Sequence, residues 1–196
     1  MPRVKHYFEN GQFVHITTRT RAKKFYLASD AAKEIVVQTL RGYEGKGAYQ
    51  VLTYVVMENH FHMVVVVRDA KGVAEAIGRL KGVTSRRIGR LIGVPGPIWE
   101  RRFDDNVIQS ERELAEVIQY VHYNPVRAGL VDNPRAYLWS SAFEPGHSEG
   151  LSGHGVVCGR ISMVCAAARN GRRARMRHSA AGIPPNAPRQ AFTRRL

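Results

Sequence analysis

Two runs of β-branched and apolar residues, YQVLTYVVM (Tyr49 to Met57) and HFHMVVVV (His60 to Val67), are separated only by Glu58 and Asn59. A joint that short directs the two runs into an antiparallel hairpin. From Met63 onward the second run is apolar on both of its alternating faces, the composition of a central strand covered on both sides. The rest of the chain has to supply those covers.

The remaining patterns fall into order around this hairpin. QFVHITTRT (Gln12 to Thr20) reads as a first strand closed by a basic turn. Ser29 is placed to cap a helix with an apolar stripe of Ala32, Ile35, Val36 and Leu40 that ends near Gly42. After the hairpin, Val73, Ala74, Ile77, Leu80, Ile88, Leu91 and Ile92 recur at helical spacing until Gly93, Pro95, Gly96 and Pro97 stop the pattern. IWERRFDDNVIQ is a fourth, charge-rich strand. Ser110 with Glu113 three residues on forms a capping box for a helix running to about Asn124, where Pro125 should kink or end it. The order is strand, helix, strand, strand, helix, strand, helix. It predicts an α+β domain with the split βαβ pattern of a ferredoxin-like antiparallel sheet and one helix added at the C-terminal end.

The 196-residue chain is divided by composition into residues 1–145 and a tail, residues 146–196, rich in Gly, Ala, Arg and Pro. The tail is expected to be largely disordered, with a short helix near residues 160–170. The formal net charge is +14, and beyond Glu149 there are nine arginines and no acidic residue. Those arginines are not spaced as one face of an amphipathic helix, so the charge favours nucleic acid over a membrane surface, with a solvated charge run as the plainer alternative. Without a long apolar stretch or a secretory leader pattern, the expected location is the cytoplasm, on the nucleoid. Cys158 and Cys165 match no common zinc pair and make no disulfide framework.

Residues i and i+2 of a strand share a face, so His60 and His62 stand side by side while Phe61 and Met63 point the other way. Two imidazoles at the mouth of a buried strand are either two ligands for a divalent cation or an exposed pair at the rim of the sheet. On the last helix Leu114, Val117, Ile118 and Val121 form the packed stripe, and Tyr120 and Asn124, at i and i+4, are neighbours on its flank. An ordinary boundary tyrosine and an asparagine ending a helix before proline are the plainer reading of the two. His122 and Tyr123 project about 200° and 300° around the helix from Tyr120, and Tyr123 is the rival nucleophile. Arg19, Arg21, Lys23 and Lys24 after the first strand, and Lys81, Arg86, Arg87 and Arg90 on the second helix, form two basic groups able to follow a DNA backbone or simply to face solvent. Arg127 is placed either to contact phosphate or to cap the kinked helix end. Trp99 and Trp139 read as packing residues before base-stacking ones.

Taken together, MENHFHMVVVV, WERRFDDNVI, YVHYNPVRAGLV and YLWSS resemble, in order and spacing, the motifs of the single-tyrosine HUH transposases, and within them the REP-associated tyrosine transposases. The resemblance spans residues 4–143. It implies that His60 and His62 are metal ligands, Asn124 the third, and Tyr120 the nucleophile. It further implies cleavage and rejoining of single-stranded DNA beside a hairpin through a 5′-phosphotyrosine, by a protein favoured to be a monomer. Two imidazoles and an amide suit Mg²⁺ weakly and Mn²⁺ at least as well; Mg²⁺ is the expected physiological ion. A phenol of pKa about 10 needs such help to attack a phosphodiester. The family pattern carries proline where this chain has Glu58, which removes a rigid turn and adds a carboxylate. A hairpin-DNA binding protein that does not cleave is the alternative, and a water-using, metal-dependent phosphodiesterase is a third reading.

Overall fold

The structure is a computed structural model and describes residues 7–44 and 47–145. Four strands, β1 (Phe13–Arg19), β2 (Tyr49–Val56), β3 (His60–Val67) and β4 (Asp104–Ile108), lie in the order β2-β3-β1-β4, every neighbouring pair antiparallel. Helices α1 (Asp30–Glu44) and α2 (Val73–Ile92) follow β1 and β3, and α3 (Glu111–Arg127) follows β4. This is the expected α+β, ferredoxin-like arrangement with an added helix. β3 lies between β1 and β2, so the valine-rich strand is central.

The alternation of β3 separates the two faces. Phe61, Met63, Val65 and Val67 join Val14 and Ile16 of β1 and the stripes of α1 and α2 (Ala32, Val36, Leu40, Ile77, Leu80, Ile88) in one buried cluster. Removing that much apolar surface from water is the main driving force for the fold. On the opposite face Val64 and Val66, with Val55 of β2, are buried together with Leu114 and Val121 of α3. α3 thus covers the half of the sheet that carries His60 and His62.

Several boundaries differ from the sequence expectation. Of the twelve-residue fourth strand only Asp104–Ile108 pairs regularly; Trp99 forms a single bridge to Thr20 and then packs edge-on against Phe61, 5.4 Å away between ring centroids. α3 continues through Pro125 to Arg127: Pro125 has no N–H to offer the Val121 carbonyl, but the helical bonding resumes after it, with Ala128 N–H reaching the Asn124 carbonyl. The capping box forms with a shift: Ser110 Oγ accepts from Glu113 N–H at 3.1 Å, but Glu113 reaches back to the N–H of Gln109, at 2.7 Å. The turn between β2 and β3 is kept without proline by Met57 N–H to His60 O (2.8 Å) and by Leu27 N–H to Glu58 O (2.9 Å).

YLWSS forms a strap along the open edge of β2. Val56 N–H donates to Trp139 O and Ser141 N–H to Tyr54 O, both at 2.9 Å, and Tyr137 Oη donates to Val56 O. Trp99 is buried in the core, and Trp139, partly buried against it, donates from Nε1 to Asp30 Oδ1 at 2.9 Å. No helix among the described residues is long and apolar enough to cross a membrane. Cys158, Cys165, the helix expected near 160–170 and the basic tail lie outside the described residues.

Candidate active site

The site sits where the N-terminal end of β3 meets the C-terminal end of β1 beneath α3. Register places Arg19 opposite His60 and Thr17 opposite His62, with His15 two residues behind Thr17 on the same face. His62 is buried, 5% exposed, and its Nδ1 lies 2.9 Å from Thr17 Oγ1 and 3.1 Å from His15 Nε2. His60 Nδ1 lies 2.7 Å from Asn59 Oδ1, and its ring is also in a side-chain hydrogen bond with Asn124. The His60 and His62 ring centroids are 4.9 Å apart.

Tyr120 completes the group from above. Its ring centroid is 5.5 Å from that of His62 and 6.2 Å from that of His15, edge-on to both, and the Arg127 guanidinium lies 4.9 Å over it. The ring remains 38% exposed, open to a ligand from solvent. The i, i+4 spacing brings Tyr120 and Asn124 to this place together. Tyr123 is 44% exposed on another flank of the helix. His122 turns to β2 and the strap, with Nε2 2.8 Å from Thr53 Oγ1 and 3.3 Å from Ser141 Oγ.

Burial sets the electrostatics. It pushes His62 down to about 3, helped by the charges of His60, His15 and Arg19; it also lowers His60, against the Asn124 hydrogen bond, and lowers His15. At neutral pH these imidazoles are uncharged and keep a lone pair. Burial raises the Tyr137 hydroxyl above its ordinary range, with smaller contributions from the Glu58 and Asp30 carboxylates, so the added acid also acts on the strap side of the turn.

The donor set fits a divalent cation. In metal-bound histidines the second ring nitrogen is commonly held by an oxygen, which orients the ring and fixes its tautomer. Here Asn59 holds Nδ1 of His60 and Thr17 holds Nδ1 of His62, so Nε2 is the nitrogen each ring would turn to a cation, with the Asn124 amide already at the His60 ring. Among the described residues no cage of three or more His, Cys, Asp or Glu side chains is arranged for a metal. Two imidazoles and one amide would leave coordination positions for phosphate oxygens and the ion's charge undiminished.

The basic residues divide by environment. Arg19 pairs with Asp104 and influences both histidines; Arg21, Lys23 and Lys24 are exposed in the turn after β1, where Ala22 and Lys23 hold positive φ of 55° and 54°. Arg86, Arg87 and Arg90 are exposed on α2. Lys81 differs from them: it is 9% exposed, and its ammonium donates to the carbonyls of Arg101 and Arg102 at 3.2 and 3.0 Å, tying α2 to the segment before β4. Arg86, Arg90 and Arg101 border an open groove of roughly 700 Å³ floored by Gly89, Val94 and Pro97. These three guanidiniums have no carboxylate partner among the described residues. Sequence reasoning missed His15 and Thr17. Their signal was the period-two run His15, Thr17, Arg19, three polar positions alternating with apolar or β-branched ones.

Comparison with known proteins gives a consistent result. The family model described as "Transposase IS200 like" matches residues 10–124. A protein of Haemophilus influenzae named as a REP-associated tyrosine transposase is 39% identical over 44 residues, a stretch covering 22% of this chain and 25% of that protein. The fold is similar to the structure of a REP-associated tyrosine transposase bound to a REP hairpin, with a TM-score of 0.61 at 17% identity over 83% of this chain and 96% of that one.

Proposed function

Because the chain belongs to the IS200-like transposase family, we propose that it is a REP-associated member that cleaves and rejoins single-stranded DNA next to a hairpin. One observation carries this reading: α3 brings Tyr120 and Asn124 over His60 and His62, so a nucleophile and a ligand set meet within one chain. The Tyr120 phenol attacks phosphorus; the bond from phosphorus to the 3′ oxygen breaks, the 3′ oxygen takes up a proton, and the 5′ phosphate remains on the tyrosine. Because one ester replaces another, a 3′-hydroxyl reverses the step without a nucleotide energy source. His60, His62 and Asn124 would hold Mg²⁺, or Mn²⁺ in its place, and the ion would supply polarisation of the phosphate and stabilisation of the charge that develops on it. Arg127 lies over Tyr120, where a guanidinium favours an anion, phenolate or phosphate.

The basic groups supply sequence-independent affinity for DNA on the nucleoid. Arg19, Arg21, Lys23 and Lys24 lie beside the site; Arg86, Arg87 and Arg90 bind backbone further along α2, while Lys81 holds that wall together. Residues 1–145 form the catalytic domain and residues 146–196 a basic tail that adds affinity. All four site residues lie in one chain, which supports a monomer acting in cis.

The test is a denaturing gel of the protein with labelled single-stranded hairpin DNA and Mn²⁺. Wild type yields a covalent adduct; Tyr120→Phe and the double variant His60→Ala, His62→Ala yield none. Hairpin binding by wild type without an adduct would establish the alternative, a binding protein on the same fold, and cleavage surviving Tyr120→Phe would establish a water-using phosphodiesterase.

A further inference from the structure

Two β1 side chains meet the inner nitrogen of His62, and together they choose which of its nitrogens is free. Nδ1 of His62 lies between Thr17 Oγ1 at 2.9 Å and His15 Nε2 at 3.1 Å. A hydroxyl both donates and accepts, so Thr17 suits either tautomer of His62. An imidazole nitrogen in the neutral ring does only one of the two. If His15 Nε2 is the bare nitrogen it accepts from His62 Nδ1–H, and the lone pair of His62 is then on Nε2, directed away from β1. If His15 carries its proton on Nε2, the direction reverses, and the outer nitrogen of His62 holds a hydrogen where a cation would sit. The two rings, 5.2 Å apart between centroids, are therefore coupled in tautomer.

We propose that His15, seconded by Thr17, is a positioning residue for the metal centre, holding His62 as the Nδ1–H tautomer so that Nε2 is kept as ligand. This rests on the reading of His62 as a metal ligand. His15 does not touch the cation or the phosphate. Half-buried and paired with β3 on the same sheet as His62, it holds the acceptor in register, which a flexible surface partner would not do. The hydrogen bond supplies direction, and no change of charge on either ring is involved.

The experiment uses the full chain and Mn²⁺ alone. Nitrogen NMR of ¹⁵N-histidine-labelled wild type, before metal is added, is expected to show His62 protonated on Nδ1 and bare on Nε2, with His15 the same. A His62 proton on Nε2 would overturn the proposal whatever the metal does. Mn²⁺ affinity is then read by electron paramagnetic resonance. Removing a partner of this kind commonly costs 10- to 100-fold in metal affinity; His15→Leu should weaken binding about tenfold and the double variant His15→Leu, Thr17→Val about a hundredfold. His15→Gln, which keeps an acceptor, should recover most of the loss, and thermal melting of each variant separates a lost orientation from a lost fold. Wild-type affinity in a folded His15→Leu protein would sink the inference and leave the ligand assignment standing. Failure of wild type to bind Mn²⁺ would instead remove the metal reading, with the tautomer still decided by NMR.

Discussion

Tyr120 and Tyr123 are three residues apart on one helix, yet only Tyr120 has its ring against His62 and His15. Tyr123→Phe is therefore expected to keep full adduct formation on the denaturing gel, whereas Tyr120→Phe removes it. Both rings are over a third exposed, so each variant should stay within about 0.5 kcal/mol of wild type in a urea melt. Lys81 carries a prediction of another kind. Burial lowers its amine from 10.5 to about 8, against the opposing pull of Glu100. Between those values the unfolded chain binds the proton and the folded chain does not, so raising the pH favours folding. The stability of wild type relative to Lys81→Met should thus rise from pH 8 to pH 10.5 in paired urea melts. Buried Tyr49 and Tyr137, both pushed upward, lose stability above pH 10 in both proteins and cancel in that difference.

At the scale of elements, α3 is the part that turns a sheet into a site, and its first turn and its middle do different work. Its first turn is closed by Ser110, ten residues from Tyr120; Ser110→Ala should cost about 1 kcal/mol in a denaturant melt and barely change the rate of adduct formation. Its middle is docked by His122, held between Thr53 on β2 and Ser141 on the strap. His122→Ala removes that bond while the Thr53 hydroxyl keeps Ser141 as a partner, a loss of about 0.5–1.5 kcal/mol. Because the same turn carries Tyr120 and Asn124, this variant should also slow adduct formation several-fold, measured at saturating DNA. The difference between the two variants separates helix stability from helix placement. The YLWSS strap has a related role, since it covers the edge of β2 and supplies Ser141.

For the whole molecule, the +14 charge and the acid-free stretch beyond Glu149 predict that affinity and chemistry separate. Deleting residues 170–196 should weaken hairpin binding and flatten its dependence on salt concentration, each lost phosphate contact lowering the logarithmic slope by about 0.7–0.9, with the cleavage position unchanged on a sequencing gel. Much of this molecule was legible beforehand. The period of two in His60 to Val67 and the 3.6-residue period from Val73 to Ile92 are local properties, so the central strand, α2 and the shared face of His60 and His62 followed from residue order alone. The spacing of Tyr120 and Asn124 was equally local. What local order cannot state is which face meets which. That Lys81 turns inward to two carbonyls, that His15 and Thr17 stand beside His62 across a strand pair, 47 and 45 residues distant in sequence, and that His122 anchors α3 through Thr53 depend on register and packing between distant segments. The sequence by itself determined the elements and the side chains each one presents; only the tertiary structure decided their partners, because a hydrogen bond between remote residues exists only once the apolar faces have closed around it.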